Sequence, residues 1–149
     1  MENLRRSAPV GPSWFAVAVQ ALAKLARNEG LCPSAEIASE VQTHAVFLRR
    51  VLAQLARAGM VEAREGRDGG YQLARPASEI SLGDVHRALS AASPIPVTTP
   101  FNATCAGSPG MQHSLDEIRQ EAEAQLVQVL DRYTIAGLLA RVERRASAT

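Results

Sequence analysis

The sequence has almost no lysine. Lys24 stands alone against 15 arginines. It also has few aromatics, 4% of residues, so any core must be aliphatic. Only two cysteines occur, Cys32 and Cys105. Two cannot build a disulfide framework, nor supply a four-thiolate zinc or iron–sulfur site from one chain. No run of about 18 apolar residues exists, so no membrane-spanning helix is expected. The start, Met1-Glu2-Asn3-Leu4-Arg5-Arg6, leads into Pro9, Gly11 and Pro12, which interrupt any signal-peptide core. The expectation is a cytoplasmic protein with reduced thiols. Formal net charge is +1, which taken alone argues against a strongly basic nucleic-acid binder.

What is present points to a folded, mainly helical chain. With 46% hydrophobic and 21% charged residues, global disorder is excluded. A length of 149 residues suits one domain with an appended element. Alanine, the best helix former, occurs 26 times.

The punctuation divides the chain into segments. Residues 1–12 read as a weakly structured arm. Ser13 can cap a helix through Trp14, Val17, Ala18, Ala21, Leu22 and Leu25, ended by Gly30. Pro33-Ser34 opens a short helix with Ile37 and Val41. Thr43 can cap a third helix containing Phe47, Leu48, Val51, Leu52 and Leu55, closed at Gly59. Two short helices with a tight turn and then a longer one give the order of a helix-turn-helix unit.

Beyond Gly59 the period changes. Met60–Arg64 and Tyr71–Ala74 are strand-compatible runs flanking Glu65-Gly66-Arg67-Asp68-Gly69-Gly70, a turn with three glycines. A hairpin placed there is a wing. Ser81 and Asp84 form a capping-box-like start for a fourth helix with Leu82, Val85 and Leu89. The winged domain is thus 13–90. Residues 91–112, rich in proline and glycine, read as an irregular connector. It is longer than structureless loops usually are, which points to a functional or a mobile segment. Ser114 with Glu117 makes a second capping box, opening a helix about 30 Å long. Its stripe is Leu115, Ile118, Ala122, Leu126, Val129 and Tyr133. Thr134 can cap a closing helix with Ile135, Leu138, Leu139 and Val142, so that 113–145 forms a two-helix C-terminal unit. The fold class is mainly α with a small β-hairpin wing. Because residues 13–90 hold their own aliphatic set, the long helix needs a partner. Either it packs back on its own domain, or two chains pair their stripes in a two-fold homodimer.

Several segments, taken in order, resemble a known family. They are Ala35-Glu36-Ile37-Ala38, Phe47-Leu48-Arg49-Arg50-Val51-Leu52, Leu55-Ala56-Arg57-Ala58-Gly59-Met60-Val61, Gly66, Gly69-Gly70-Tyr71, Leu73-Ala74-Arg75 and Ile80-Ser81-Leu82-Gly83-Asp84-Val85. Together they resemble the Rrf-two family of bacterial winged-helix regulators, which includes the iron–sulfur cluster assembly regulator and the nitric-oxide-sensing repressor. The resemblance spans roughly 13–140. It implies a winged helix-turn-helix transcriptional regulator, without enzymatic activity, that binds double-stranded DNA as a homodimer on a pseudo-palindromic operator, acting as a repressor.

The first turns of the third helix should enter the major groove. Outward positions are Thr43, His44, Ala45, Val46, Arg49 and Arg50. By resemblance, base reading falls on His44, Val46 and Arg49. Arg49 or Arg50 can read a guanine edge or hold phosphates, and no acidic residue between Thr43 and Arg57 competes for them. Val46 can meet a thymine methyl or pack in the core. In the wing, Gly69 and Gly70 let the hairpin approach a sugar–phosphate backbone. The family commonly carries arginine before the first wing glycine, where this chain has Glu65. Arg64 and Arg67 flank it and can take over. Arg5 and Arg6 are further phosphate candidates.

The resemblance also raises a sensor. Many relatives hold an iron–sulfur cluster through three connector cysteines, and this chain has one, Cys105. A cluster would need ligands from elsewhere, such as His113 or a second chain, so the expectation is no metal and no cofactor. Cys105 is either an oxidant-sensing thiol or inert. A small-molecule effector held near the connector and the dimer cleft is a further expectation. Two other readings remain at the sequence level: a winged-helix protein-interaction module without DNA binding, and an iron–sulfur regulator with non-standard ligands. Charge distribution favours DNA. Residues 43–67 carry five arginines against two glutamates, a local +3, whereas 114–149 sum to −1.

Overall fold

A computed structural model describes residues 14–90 and 108–149. Ser13 as a cap, the arm with Arg5 and Arg6, most of the connector and Cys105 lie outside the described residues.

Three helices open the fold: α1 (Trp14–Arg27), α2 (Ser34–Val41) and α3 (Ala45–Arg57). The strands β1 (Val61–Arg64) and β2 (Gly70–Leu73) follow, then a 3-10 turn at Ala77–Glu79 and α4 (Leu82–Ser90). α5 (Pro109–Leu130) and α6 (Ile135–Ser147) complete the described chain. None of these helices is long and apolar enough to cross a membrane.

The core is aliphatic, as the shortage of aromatics requires. Leu22, Ile37, Leu48, Val51, Leu52, Leu55, Ile80 and Val85 are completely buried where α1, α2, α3 and α4 meet. Trp14 and Phe47 pack edge to face at 5.1 Å on its rim, joining α1 to α3. Among the described residues no polar or charged residue is buried in this core.

Local signals explain most element ends. Gly59 takes φ +76°, and the amides of Gly59 and Met60 donate to the carbonyls of Ala56 and Leu55 at 3.0 Å each. This double closure ends α3, and the left-handed turn favours glycine there. At α4 the Asp84 amide donates to Ser81 Oγ (2.9 Å) and the Ser81 amide donates to Asp84 Oδ2 (3.2 Å), a reciprocal capping box. Thr134 Oγ1 accepts from the Gly137 amide at 3.0 Å and opens α6. The hairpin is antiparallel, with Val61 opposite Leu73 and Arg64 opposite Gly70. Cys32 adds a third strand position, exchanging two 2.8 Å backbone hydrogen bonds with Tyr71.

Three expected boundaries are corrected. Thr43 does not cap α3. His44 is the N-cap residue, without a side-chain cap hydrogen bond, and Thr43 Oγ1 is buried with no partner. The turn places Gln42 at φ 58° and engages the Thr43 amide with Ala38 O, which shifts the helix start by one residue. α5 begins at Pro109 rather than after Ser114. Ser108 Oγ accepts from Met111 N, and proline at the first helical position suits the helix, so Ser114 lies inside it. The last four residues of the expected 91–112 connector are therefore the first turn of α5. Finally, α5 stops at Leu130, so Tyr133 is not on the helix. The chain there becomes extended to pair with the entry of α4. Leu82 N donates to Tyr133 O (2.8 Å) and Ile135 N to Ile80 O (2.9 Å).

No residue of α5 is buried. Ile118, Leu126, Val129 and Tyr133 are exposed large apolar residues, Ala122 is exposed and Leu115 half-buried.

Candidate nucleic-acid interface

The face of α3 opposite the core is built by helical spacing. Leu48, Val51, Leu52 and Leu55 point inward, so His44, Ala45, Val46, Arg49, Arg50, Ala53 and Arg57 point outward. Val46 is 64% exposed, which removes it from the core. Thr43 is only partly exposed and its hydroxyl is enclosed. The structure thus gathers His44, Val46, Arg49 and Arg50 on one surface and turns Thr43 partly inward.

The arginines of this surface, like Arg75, Arg132, Arg141, Arg144 and Arg145 elsewhere, take part in no ion pair among the described residues. Ion pairs among the described residues involve Lys24, Arg27, Arg87, His113 and Arg119. None involves Arg49, Arg50, Arg57, Arg64 or Arg67. On α1 the opposite holds. Lys24 reaches Glu40 (2.8 Å) and Glu36 (3.4 Å), and Arg27 reaches Glu40 (2.7 Å). The Lys24 hydrogen bond holds the Glu40 carboxyl below its usual range.

The wing presents Arg64, Glu65, Arg67 and Asp68, all exposed. Its glycines have an intramolecular reason to be glycine. A Cβ on Gly70 would stand 2.6 Å from Cys32 O, and one on Gly69 would overlap Arg64 O. These close approaches shape the hairpin whether or not a duplex is near.

A second constellation, which sequence reading missed, ties α5 to α4. Arg87 Nη2 donates to Asp131 Oδ1 (2.8 Å) and Asp84 Oδ1 (3.0 Å), and Nη1 donates to Asp131 Oδ2 (3.2 Å). The Ser81 hydroxyl approaches Asp131 Oδ1 at 3.4 Å. The Arg87 hydrogen bond holds the Asp131 carboxyl below its usual range. Burial pushes Asp84 up, but hydrogen bonds from the Ser81 amide and Arg87 outweigh it and hold this carboxyl down too. A separation of 44 residues between Arg87 and Asp131 leaves no local sequence signal.

The family model described as Rrf2, iron-dependent transcriptional regulator, matches residues 13–141. The chain belongs to the Rrf2 family, the Rrf-two family of the sequence resemblance. Members of the Rrf2 family are transcription regulators, not enzymes. Among solved structures the chain is similar to IscR of T. potens, at 26% identity and TM-score 0.66, covering 91% of this chain and 89% of that one. It is also similar to CymR of Staphylococcus aureus, at 26% identity and TM-score 0.59, covering 85% and 95%. A curated relative, Protein aau3 of Rhizobium meliloti (strain 1021), is 48% identical over 60 residues. That match spans 40% of this chain and 39% of the relative.

The iron in the Rrf2 description meets no fitting donor set among the described residues. They contain no group of three or more His, Cys, Asp or Glu that could hold a metal ion. Cys32 is wholly buried, and burial together with the nearby Glu36 carboxylate pushes its thiol up, opposing the thiolate a metal needs. His113 is exposed on α5 beside Glu117, 3.3 Å away.

Proposed function

We propose that this Rrf2 chain is a sequence-specific DNA-binding repressor that reads a pseudo-palindromic operator as a homodimer. The observation that carries the reading is the outward face of α3. There Val46, Arg49 and Arg50 stand exposed, and the two guanidinium groups have no ion-pair partner among the described residues. In this reading His44, Val46 and Arg49 meet base edges, and Arg50, Arg64 and Arg67 hold phosphates. The wing turn at Gly69 and Gly70 follows the backbone. Two copies pair through Leu115, Ile118, Ala122, Leu126 and Val129 of α5, with Tyr133 at the end of the stripe. With two cysteines in the sequence, Cys32 and Cys105, the chain is short of the thiolates a cluster needs, and in this reading it works without an iron–sulfur cluster. An oxidant at Cys105 or a small organic effector supplies the signal.

The test is fluorescence anisotropy with an operator duplex chosen by selection from random DNA. Arg49→Ala and Arg50→Ala should each weaken specific binding by about 1–3 kcal/mol, roughly 5- to 150-fold, while the association state stays unchanged. Wild-type affinity should fall steeply with salt. Normal binding by both variants would overturn the assignment of α3. Salt-independent binding would favour a protein partner, a reading that the exposed Glu65 on the wing supports.

A further inference from the structure

We propose that Arg87 and Asp131 are positioning residues that set the angle at which α5 leaves the winged body, and thereby the spacing between the two half-sites a dimer reads. This rests on the α5-paired dimer proposed above.

Three observations carry it. First, α5 has no buried residue, so its own side chains do not anchor it along its length. Hydrogen bonds join it to the body just past its C-terminal end, at Asp131 and Tyr133. Second, that end is held by a compact set of groups. The Arg87 guanidinium grips both oxygens of Asp131 at 2.8 and 3.2 Å, and Asp84 holds the same guanidinium at 3.0 Å. A two-point grip fixes orientation as well as distance. Backbone hydrogen bonds from Leu82 to Tyr133 and from Ile135 to Ile80 fix the strand-like crossing that follows the helix. Third, the body makes room for Asp131. Gly83 is buried against it, and a Cβ there would overlap Asp131 Oδ1. An aspartate at a helix C-terminus opposes the helix dipole, so helix stability does not account for it. Its role lies across the junction.

The lever is long. Twenty-two residues at about 1.5 Å each span about 33 Å, so a tilt of about 5° at the anchor moves the far end by about 3 Å. That is close to one base-pair step of about 3.4 Å. A loosened grip therefore changes which half-site separation the dimer accepts, without touching the reading surface on α3.

The experiment is selection from a random-sequence duplex pool with the full-length wild type, Arg87→Ala, Asp131→Asn and Arg87→Lys. Each selected pool is scored for half-site motif and for half-site spacing. Wild type should yield one spacing. Arg87→Ala and Asp131→Asn should keep the half-site motif but spread over two or more spacings, with at least a tenfold smaller preference for the wild-type spacing. Arg87→Lys, which keeps the charge and loses the two-point grip, should fall between. Asp131→Asn retains the packing against Gly83, so it carries the test if Arg87→Ala does not fold. A single sharp spacing in Asp131→Asn overturns the inference, as does loss of the half-site motif together with the spacing. A wild type that selects no paired half-sites removes the α5 dimer and this inference with it.

Discussion

The winged body and α5 obey different rules. In residues 14–90, four helices and a hairpin close around Leu22, Ile37, Leu48, Leu52 and Val85, all without solvent contact. In α5, 22 residues form a helix in which nothing is buried, while Ile118, Leu126 and Val129 lie open. The body satisfies its own apolar surface and can expend its polar face on something else, namely unpaired arginines. The long helix does the reverse. Its one arginine, Arg119, pairs within the helix with Asp116 (3.5 Å) and Glu123 (3.1 Å), and its apolar stripe is left over. Under the proposed function, the unpaired charge of α3 and the wing meets a polyanion, and the uncovered apolar stripe meets a second copy of itself.

The contrast breaks most sharply in the core. Leu52→Ala should cost about 2–5 kcal/mol of unfolding free energy, read from the denaturant midpoint, because a wholly buried side chain leaves a cavity. A cost below about 1 kcal/mol would mean that the body is less closed than its packing. Next comes the stripe. Leu126→Glu combined with Ile118→Glu should weaken self-association about 30-fold or more in sedimentation experiments, since a carboxylate must enter an apolar interface. The unfolding of the body itself should shift by no more than about 0.5 kcal/mol. An unchanged association state would give α5 a different partner.

A smaller effect sits at the turn between α2 and α3. Thr43→Val removes a buried hydroxyl that makes no hydrogen bond, so stability should hold or rise by about 1 kcal/mol. A loss of more than about 1 kcal/mol would show that the hydroxyl has a partner. The smallest effect concerns the junction. Asp84 and Asp131 both have carboxyls held below the usual range in the folded state. Their contribution is therefore present above about pH 4, the unfolded aspartate value, and is lost as pH falls through the lower folded value. The melting-temperature difference between wild type and Asp131→Asn should be constant near neutrality and vanish in acid. A difference that persists in acid would place the effect in packing rather than charge.

The sequence displayed what is decided within a few residues. Gly59 closing α3, the Ser81–Asp84 box and Thr134 at the head of α6 are each local exchanges between a side chain or a turn and neighbouring amides. Periodicity likewise identified Leu48, Val51, Leu52 and Leu55 as the inward side of α3. Misreadings arose where two local signals competed. Ser108-Pro109 and Ser114–Glu117 both offer a helix start, and the proline start takes precedence because it leaves the longer helix intact. Thr43 is a good capping residue in isolation, yet the turn at Gln42 directs its hydroxyl inward. Tyr133 continues the stripe by spacing, but a backbone pairing with Leu82 pulls it off the helix. Arg87 and Asp131 were invisible because nothing in either neighbourhood announces a partner 44 residues away.

The link between Cys32 and Tyr71 has an architectural consequence. A two-stranded hairpin alone is marginal, and here its inner strand is buttressed by the chain that joins α1 to α2. That joining segment is therefore no spacer. Adding a residue between Leu31 and Pro33 would shift the wing's foundation along with the start of α2. Adding one at the wing tip, between Glu65 and Asp68, would lengthen only the finger. Within one short fold, tolerance to insertion is thus divided in advance between a tip that can take added length and a root that cannot.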